Sequence, residues 1–181
     1  MQRRVFVSRA AITAGVAMMA GPGGAQAQQV AWEDVTGPDG RYRLRIPKGY
    51  RYLQVASHGG ILHSYVSILP GGFILELMEV AFPSPQPTVP TTAAGLEQAL
   101  EQMQGGLQKS WPGSTVIEQR PIQNGAVMGR QATFAINQGS SVVVTRLYLT
   151  PMVGCTQIAQ GPAAERGNPV LMQFLESLRL A

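Results

Sequence analysis

The chain has 181 residues, of which 45% are hydrophobic and 13% are charged, and its single cysteine excludes an internal disulfide. Its formal net charge is +4, but three of its fourteen basic residues and none of its ten acidic residues lie in the first 27 positions. The remaining 154 residues therefore carry only +1, which excludes a general electrostatic attraction to nucleic acid or to anionic membranes.

The first 27 residues have the composition of an export signal. Arg3 and Arg4 belong to a basic start, and the apolar run that follows is too short to span a bilayer. Ala25 and Ala27 are small residues at the two positions that a signal peptidase reads. The pattern predicts cleavage after Ala27.

The basic start resembles a twin-arginine (Tat) signal, because RRVFV at residues 3–7 matches two arginines, any residue, a phenylalanine and an aliphatic residue. Ser8 stands where a lysine is common, and an ordinary secretory signal is the alternative. Both routes cross the inner membrane, so we expect a soluble periplasmic protein. Cys155 is far from the cleavage position, so we expect no lipid anchor. Residues 28–181 are expected to form one domain.

Strands are predicted first in the mature chain. Residues 41–46 alternate between arginines and the apolar side chains of Tyr42, Leu44 and Ile46, which predicts a half-buried strand that ends at Pro47. By the same signals, further strands are predicted over residues 50–57, 62–69, 73–82, 114–122, 127–137, 141–150 and 154–160.

Two amphipathic helices are also predicted. The first follows a proline-rich connection at residues 83–90, and its expected buried stripe is Leu96, Leu100, Met103 and Leu107. The second begins near Asn168, a suitable N-cap, and its expected buried stripe is Leu171, Phe174, Leu175 and Leu178.

This order of elements predicts an α+β sandwich, with two helices packed on an antiparallel sheet of about seven or eight strands. RYRLRIPKGY (residues 41–50), the middle helix, GRQATFAINQGSSVVVTRLYL (residues 129–149) and a terminal FLESLRL follow one another along nearly the whole mature chain. This order resembles the PsbP-like and DcrB-like superfamily. The resemblance implies an antiparallel sheet flanked by helices and a binding or accessory role without common catalytic residues.

Catalytic and cofactor motifs are missing from the sequence. It contains no G-x-S-x-G, no P-loop and no C-x-x-C, and Cys155 is expected to be a small buried side chain. We therefore expect a non-enzymatic protein that holds no cofactor. A small hydrolase whose site residues meet only in the folded chain is the alternative.

The two histidines, His58 and His63, are candidate metal ligands. A two-residue turn at Gly59-Gly60 would place both imidazoles on one face of a hairpin, with Cα atoms roughly 7 Å apart. A metal-binding module is thus a further alternative. A site needs additional ligands, and no cysteine or acid nearby in sequence supplies one, so solvated histidines are the preferred interpretation.

Arg41, Arg43 and Arg45 are the candidate contact for a partner. On one face of a strand they would form a ladder about 13 Å long that suits carboxylates or phosphates. The expected partner is an unknown protein or a small anionic ligand. A solvated face paired with Glu33, Asp34 or a neighbouring strand is the preferred interpretation of the three arginines. We expect a monomer with no stable membrane anchor and no nucleic-acid partner.

Overall fold

The computed structural model describes residues 30–57, 60–86, 89–90 and 92–181. The predicted export signal and His58 lie outside the described residues. No helix within the described ranges is long and apolar enough to cross a membrane.

Ten strands and two helices follow one another in the described part of the chain. The strands are β1 Trp32–Thr36, β2 Tyr42–Pro47, β3 Arg51–Ser57, β4 Gly60–Leu69, β5 Phe73–Ala81, β6 Thr115–Asn124, β7 Val127–Ile136, β8 Ser141–Leu149, β9 Val153–Pro162 and β10 Arg179–Leu180. The helices are α1 Ala93–Gln108, between β5 and β6, and α2 Pro169–Ser177, between β9 and β10.

The strands form two antiparallel sheets. The large sheet has seven strands in the order β3-β4-β5-β9-β8-β7-β6, and the small sheet has three in the order β1-β2-β10. The small sheet and α2 share a hydrophobic core with one face of the large sheet, whereas α1 packs over β7 and β8 on the other face. The predicted α+β sandwich is confirmed, with the difference that β2 belongs to a separate small sheet.

The core between the sheets begins with the alternation in β2. Tyr42, Leu44 and Ile46 are buried, as the sequence predicts, and pack with Leu75 of β5 and Phe174 of α2. Burying each such side chain contributes roughly 1.5–3 kcal/mol. This alternation therefore fixes which face of β2 is turned outward.

Helix α2 confirms its predicted stripe, whereas the stripe predicted for α1 is wrong at one position. Met103 is 37% exposed, and the residue buried beside Leu100 is Gln104. The Nε2 group of Gln104 donates a hydrogen bond of 2.8 Å to Oγ1 of Thr145. The helix therefore turns a polar side chain inward because the sheet below it offers a hydroxyl partner.

The β3–β4 hairpin differs from its predicted register. Ser57 lies opposite Gly60, so Gly60 belongs to β4 and not to a Gly59-Gly60 turn, and His63 lies opposite Gln54 and not Ala56. A Cβ atom on Gly60 would lie 2.4 Å from the carbonyl oxygen of Ala81. Gly60 is therefore needed as a strand residue that approaches the next backbone closely.

Candidate functional site

The three predicted arginines do not form one ladder. Arg43 and Arg45 are exposed, but Arg41 precedes β2 with the helical backbone angles φ −64° and ψ −20°. Its Nη2 atom lies 2.8 Å from Oδ2 of Asp39, and its Nη1 atom lies 3.9 Å from Oε1 of Glu79. Because its backbone is not extended, Arg41 is not part of β2 and does not continue the alternating row of Arg43 and Arg45.

A third arginine takes a place beside the two that remain. Arg179 of β10 lies directly opposite Arg43, and Asp34 of β1 lies opposite Arg45 at an Oδ1–Nε distance of 3.1 Å. Arg43 makes no ion pair within the part of the chain that the structure describes. We call Arg43, Arg45 and Arg179 the outer arginine face.

Sequence reasoning missed Arg179 because β10 has only two residues and pairs with a strand far away in the chain. The amide of Asn124 holds β10 in place by donating to the carbonyl of Leu178 and accepting from the backbone N–H of Leu180. Arg179 itself donates to the carbonyls of Leu178 and Glu176. No local pattern in the sequence indicates this pairing.

A buried acid lies behind the outer arginine face. Glu79 is fully buried, and neither carboxylate oxygen has a hydrogen bond within the described residues. Burial raises the pKa of Glu79 above its ordinary value, although the positive charge of Arg41 acts in the opposite direction. A sequence signal existed, because Glu79 follows Leu75 and Leu77 at the period of the buried face of β5.

His63 and Cys155 flank Glu79 on the neighbouring strands. The Cys155 thiol is buried, as predicted, and burial raises its pKa, which keeps it protonated and unreactive. The prediction of a solvated histidine is wrong for His63, whose side chain is 5% exposed. The reason is Tyr52, which stacks on the imidazole and places its hydroxyl 2.8 Å from Nδ1.

The protonation of His63 reflects this setting. Burial lowers its pKa, and the charge of Arg41 lowers it further. No group of three or more His, Cys, Asp or Glu side chains in the described ranges is arranged to hold a metal ion. The alternative of a metal site at His58 and His63 depends on His58, which lies outside those ranges.

A cavity of about 330 Å³ opens near this polar group. Asp39, Arg41, Tyr148, Thr150 and Cys155 are among the residues that line it. Apolar side chains make up most of the remaining wall. The cavity therefore joins an exposed ion pair to the protein interior.

No family model and no curated protein sequence matches the chain. Among solved structures it is similar to cyanobacterial PsbP (CyanoP) from Synechocystis sp. PCC 6803, with a TM-score of 0.55 and 10% identity over 87% of this chain and 96% of that one. For the Ran-binding protein Mog1p of Saccharomyces cerevisiae, the TM-score is 0.49 and the sequence identity is 11%, over 83% of this chain and 96% of Mog1p. For LpqN of Mycobacterium tuberculosis, which is involved in cell envelope biogenesis, the TM-score is 0.46 and the sequence identity is 15%, over 84% of this chain and 92% of LpqN. The similarity to CyanoP shows the predicted PsbP-like fold.

Proposed function

We propose that this chain is an exported periplasmic binding or accessory protein without enzymatic activity, and that its outer arginine face contacts acidic groups of its partner. The observation that carries this proposal is the opposition of Arg43 and Arg179, in which Arg43 has no ion pair among the described residues. Like charges directly opposite on a sheet destabilise it. A bound carboxylate or phosphate would remove that repulsion.

The spacing of the outer arginine face supports the proposal. Residues directly opposite on antiparallel strands have Cβ atoms about 5 Å apart, and alternate residues along one strand lie about 7 Å apart. Arginine presents a rigid fork of donors that matches carboxylate and phosphate oxygens. The side chains of both Asp34 and Arg45 are exposed, so their ion pair holds Arg45 only weakly. The partner is an acidic protein surface or a small anionic ligand.

The polar groups inside the protein support a non-enzymatic role. The arrangement that favours a hydrolase is Glu79 opposite His63, an acid beside a possible base. The imidazole Nδ1 atom, however, is engaged by the hydroxyl of Tyr52. Ser67, on the same face of β4, donates its hydroxyl to the carbonyl of Pro47 at 3.2 Å. These contacts give His63 and Ser67 structural partners in place of a substrate.

The proposal is tested by measuring the affinity of the mature protein for a labelled hexaglutamate peptide and for a phosphoserine peptide. The variant carries Arg43→Gln and Arg179→Gln. A control with the same loss of charge carries Arg120→Gln and Arg166→Gln, two exposed arginines that pair with Glu118. We expect about tenfold weaker binding from the variant at low salt, and little change from the control.

Fluorescence anisotropy gives both affinities, and thermal unfolding checks that each variant is folded. Tighter binding of the acidic peptide indicates a protein surface as partner, whereas tighter binding of the phosphopeptide indicates a phosphate ligand. Equal affinities for the variant and the control would overturn the assignment of the outer arginine face.

A further inference from the structure

The two edges of the large sheet are built differently. The β6 edge contains Pro121, a register shift between Val116 and Glu118, and the exposed charge of Arg120. Proline, bulges and charges are the devices by which natural proteins prevent an edge strand from pairing with another chain. The β6 edge is therefore protected.

The β3 edge has none of these devices in its interior. Every side chain from Arg51 to Ala56 is exposed, and Arg51, at the beginning of the strand, is the only charged one. Tyr52 is 48% exposed on one face of the sheet, and Leu53 and Val55 are 57% and 44% exposed on the other. Alternate residues of an edge strand also direct their backbone N–H and C=O groups away from the sheet. Such an edge is suited to receive another strand.

We propose that β3 pairs with β3 of a second copy of this chain, antiparallel and around a two-fold axis at Gln54. This register places Leu53 opposite the second copy's Val55, and the symmetry repeats that contact on the other side of the axis. Side chains directly opposite on one face of an antiparallel pair stabilise it when both are apolar. The resulting dimer joins two seven-stranded sheets into one.

The charge on β3 favours a second copy in this orientation. In the antiparallel register the two Arg51 residues lie at opposite ends of the interface, about 20 Å apart. A parallel arrangement would place them directly opposite each other, where like charges repel. At the axis, Gln54 faces a second neutral Gln54. The strand is thus complementary to itself in one orientation and not in the other.

The dimer is weak, because a single pair of edge strands buries less than the roughly 1,200 Å² of standard interfaces. We expect a dissociation constant on the order of 10–100 μM. This assembly replaces the monomer expected from the sequence. It leaves the outer arginine face, which belongs to the small sheet, free to bind its partner.

Sedimentation of the mature protein over a range of concentrations provides the first test. Val55→Lys removes both Leu53–Val55 contacts and places a charge opposite each leucine, so we expect at least tenfold weaker dimerisation. Val116→Lys is the matched control, because Val116 is also 44% exposed but lies on the protected β6 edge. We expect the control to dimerise within about twofold of the original protein.

A second test examines the register without changing an apolar side chain. Gln54→Lys and Gln54→Glu each place like charges at the axis, so each variant alone should dimerise a few-fold more weakly. An equal mixture of the two should restore the affinity. The proposal would be overturned if V55K and V116K weakened dimerisation equally. It would also be overturned if the mixture of the two Gln54 variants dimerised no more tightly than either variant alone. A mature protein that stays monomeric and instead carries another protein's strand at β3 would also overturn it.

Discussion

The Nη1 atom of Arg41 lies 3.9 Å from Oε1 of Glu79, a carboxyl group that is fully buried and has no hydrogen bond among the described residues. The distance is long for an ion pair, so the arginine offsets only part of the cost of burying the acid. Burial therefore dominates, and the pKa of Glu79 is raised. This relationship makes the stability of the fold depend on pH.

Because the folded-state pKa of Glu79 lies above its ordinary value of 4.5, the folded protein holds that proton more tightly than the unfolded chain. The contribution to stability is present below pH 4.5 and is lost as the pH rises through the folded-state pKa. We expect Glu79→Gln to gain stability relative to the original protein over this interval. Urea unfolding at several pH values measures the difference, and Glu101→Gln, an exposed acid, is the control. A difference that does not change with pH would contradict the prediction.

His63 should act in the opposite direction. Its folded-state pKa lies below the ordinary value of 6.5 because the side chain is buried, so the unfolded chain binds the proton more tightly. Its contribution is present above pH 6.5 and is lost as the pH falls through the folded-state pKa. We expect the original protein to lose stability relative to His63→Phe below pH 6.5.

Titration of the imidazole by NMR checks the assignment of this effect to His63. Tyr52→Phe serves as the comparison, because it removes the hydroxyl partner of Nδ1 but keeps the aromatic ring that covers the imidazole. If Tyr52→Phe leaves the lowered pKa in place, the hydroxyl contact is not its cause, and burial together with the charge of Arg41 accounts for it. An ordinary pKa for His63 in the original protein would show that the prediction is wrong.

Gln104 should be a larger determinant of stability than its polarity indicates. Gln104→Ala removes the hydrogen bond that the hydroxyl of Thr145 accepts beneath α1 and leaves that hydroxyl only its 3.4 Å contact with the carbonyl oxygen of Ala132, and we expect a loss of about 1–3 kcal/mol. Gln102→Ala on the exposed side of the same helix should change stability by less than about 0.5 kcal/mol. Denaturant unfolding compares the two variants. Equal effects would mean that the buried hydrogen bond contributes little.

Most of the fold could be predicted because its signals are local. The alternation around Leu44 and the helical spacing of Leu171 and Phe174 each report which side chains are buried, and the structure confirms them. Signals of this kind reach only a few residues along the chain. They do not indicate that β2 leaves the large sheet to pair with β1 and β10.

The candidate site could be predicted only in part, because its geometry depends on contacts between distant residues. The alternation predicts that Arg43 and Arg45 point outward, but the helical backbone of Arg41 results from the turn at residues 38–40. The opposition of Arg43 and Arg179 requires two strands more than 130 residues apart to meet. Gln104 and His63 are buried for the same kind of reason, since their partners lie on other elements.

The export signal predicted from the sequence leads to a prediction of processing. N-terminal sequencing of the mature protein from the periplasm should begin at Gln28, since the small residues Ala25 and Ala27 precede the expected cleavage position. Replacing Arg3 and Arg4 together with lysine should block export through the twin-arginine route. The folded domain is not altered by this change, so the precursor should accumulate in the cytoplasm. Unaffected export would indicate the ordinary secretory route.

Two glycine-to-alanine substitutions should change stability in opposite directions. Gly105 lies in α1, where an added Cβ atom meets nothing within 4 Å, so Gly105→Ala should stabilise the protein by about 0.5–1 kcal/mol through helix propensity. Gly129 lies in β7, where a Cβ atom would come within 2.5 Å of the carbonyl oxygen of Leu147 and of the ring of Tyr148.

A backbone oxygen cannot move aside as the end of a flexible side chain can, so Gly129→Ala should destabilise the protein by about 1–3 kcal/mol. Thermal unfolding of the two variants beside the original protein measures both effects with the same chemical change. A Gly129→Ala variant as stable as the original would show that β7 and β8 do not approach as closely as the structure places them. A loss of stability in Gly105→Ala would show that this position on α1 is not open to solvent.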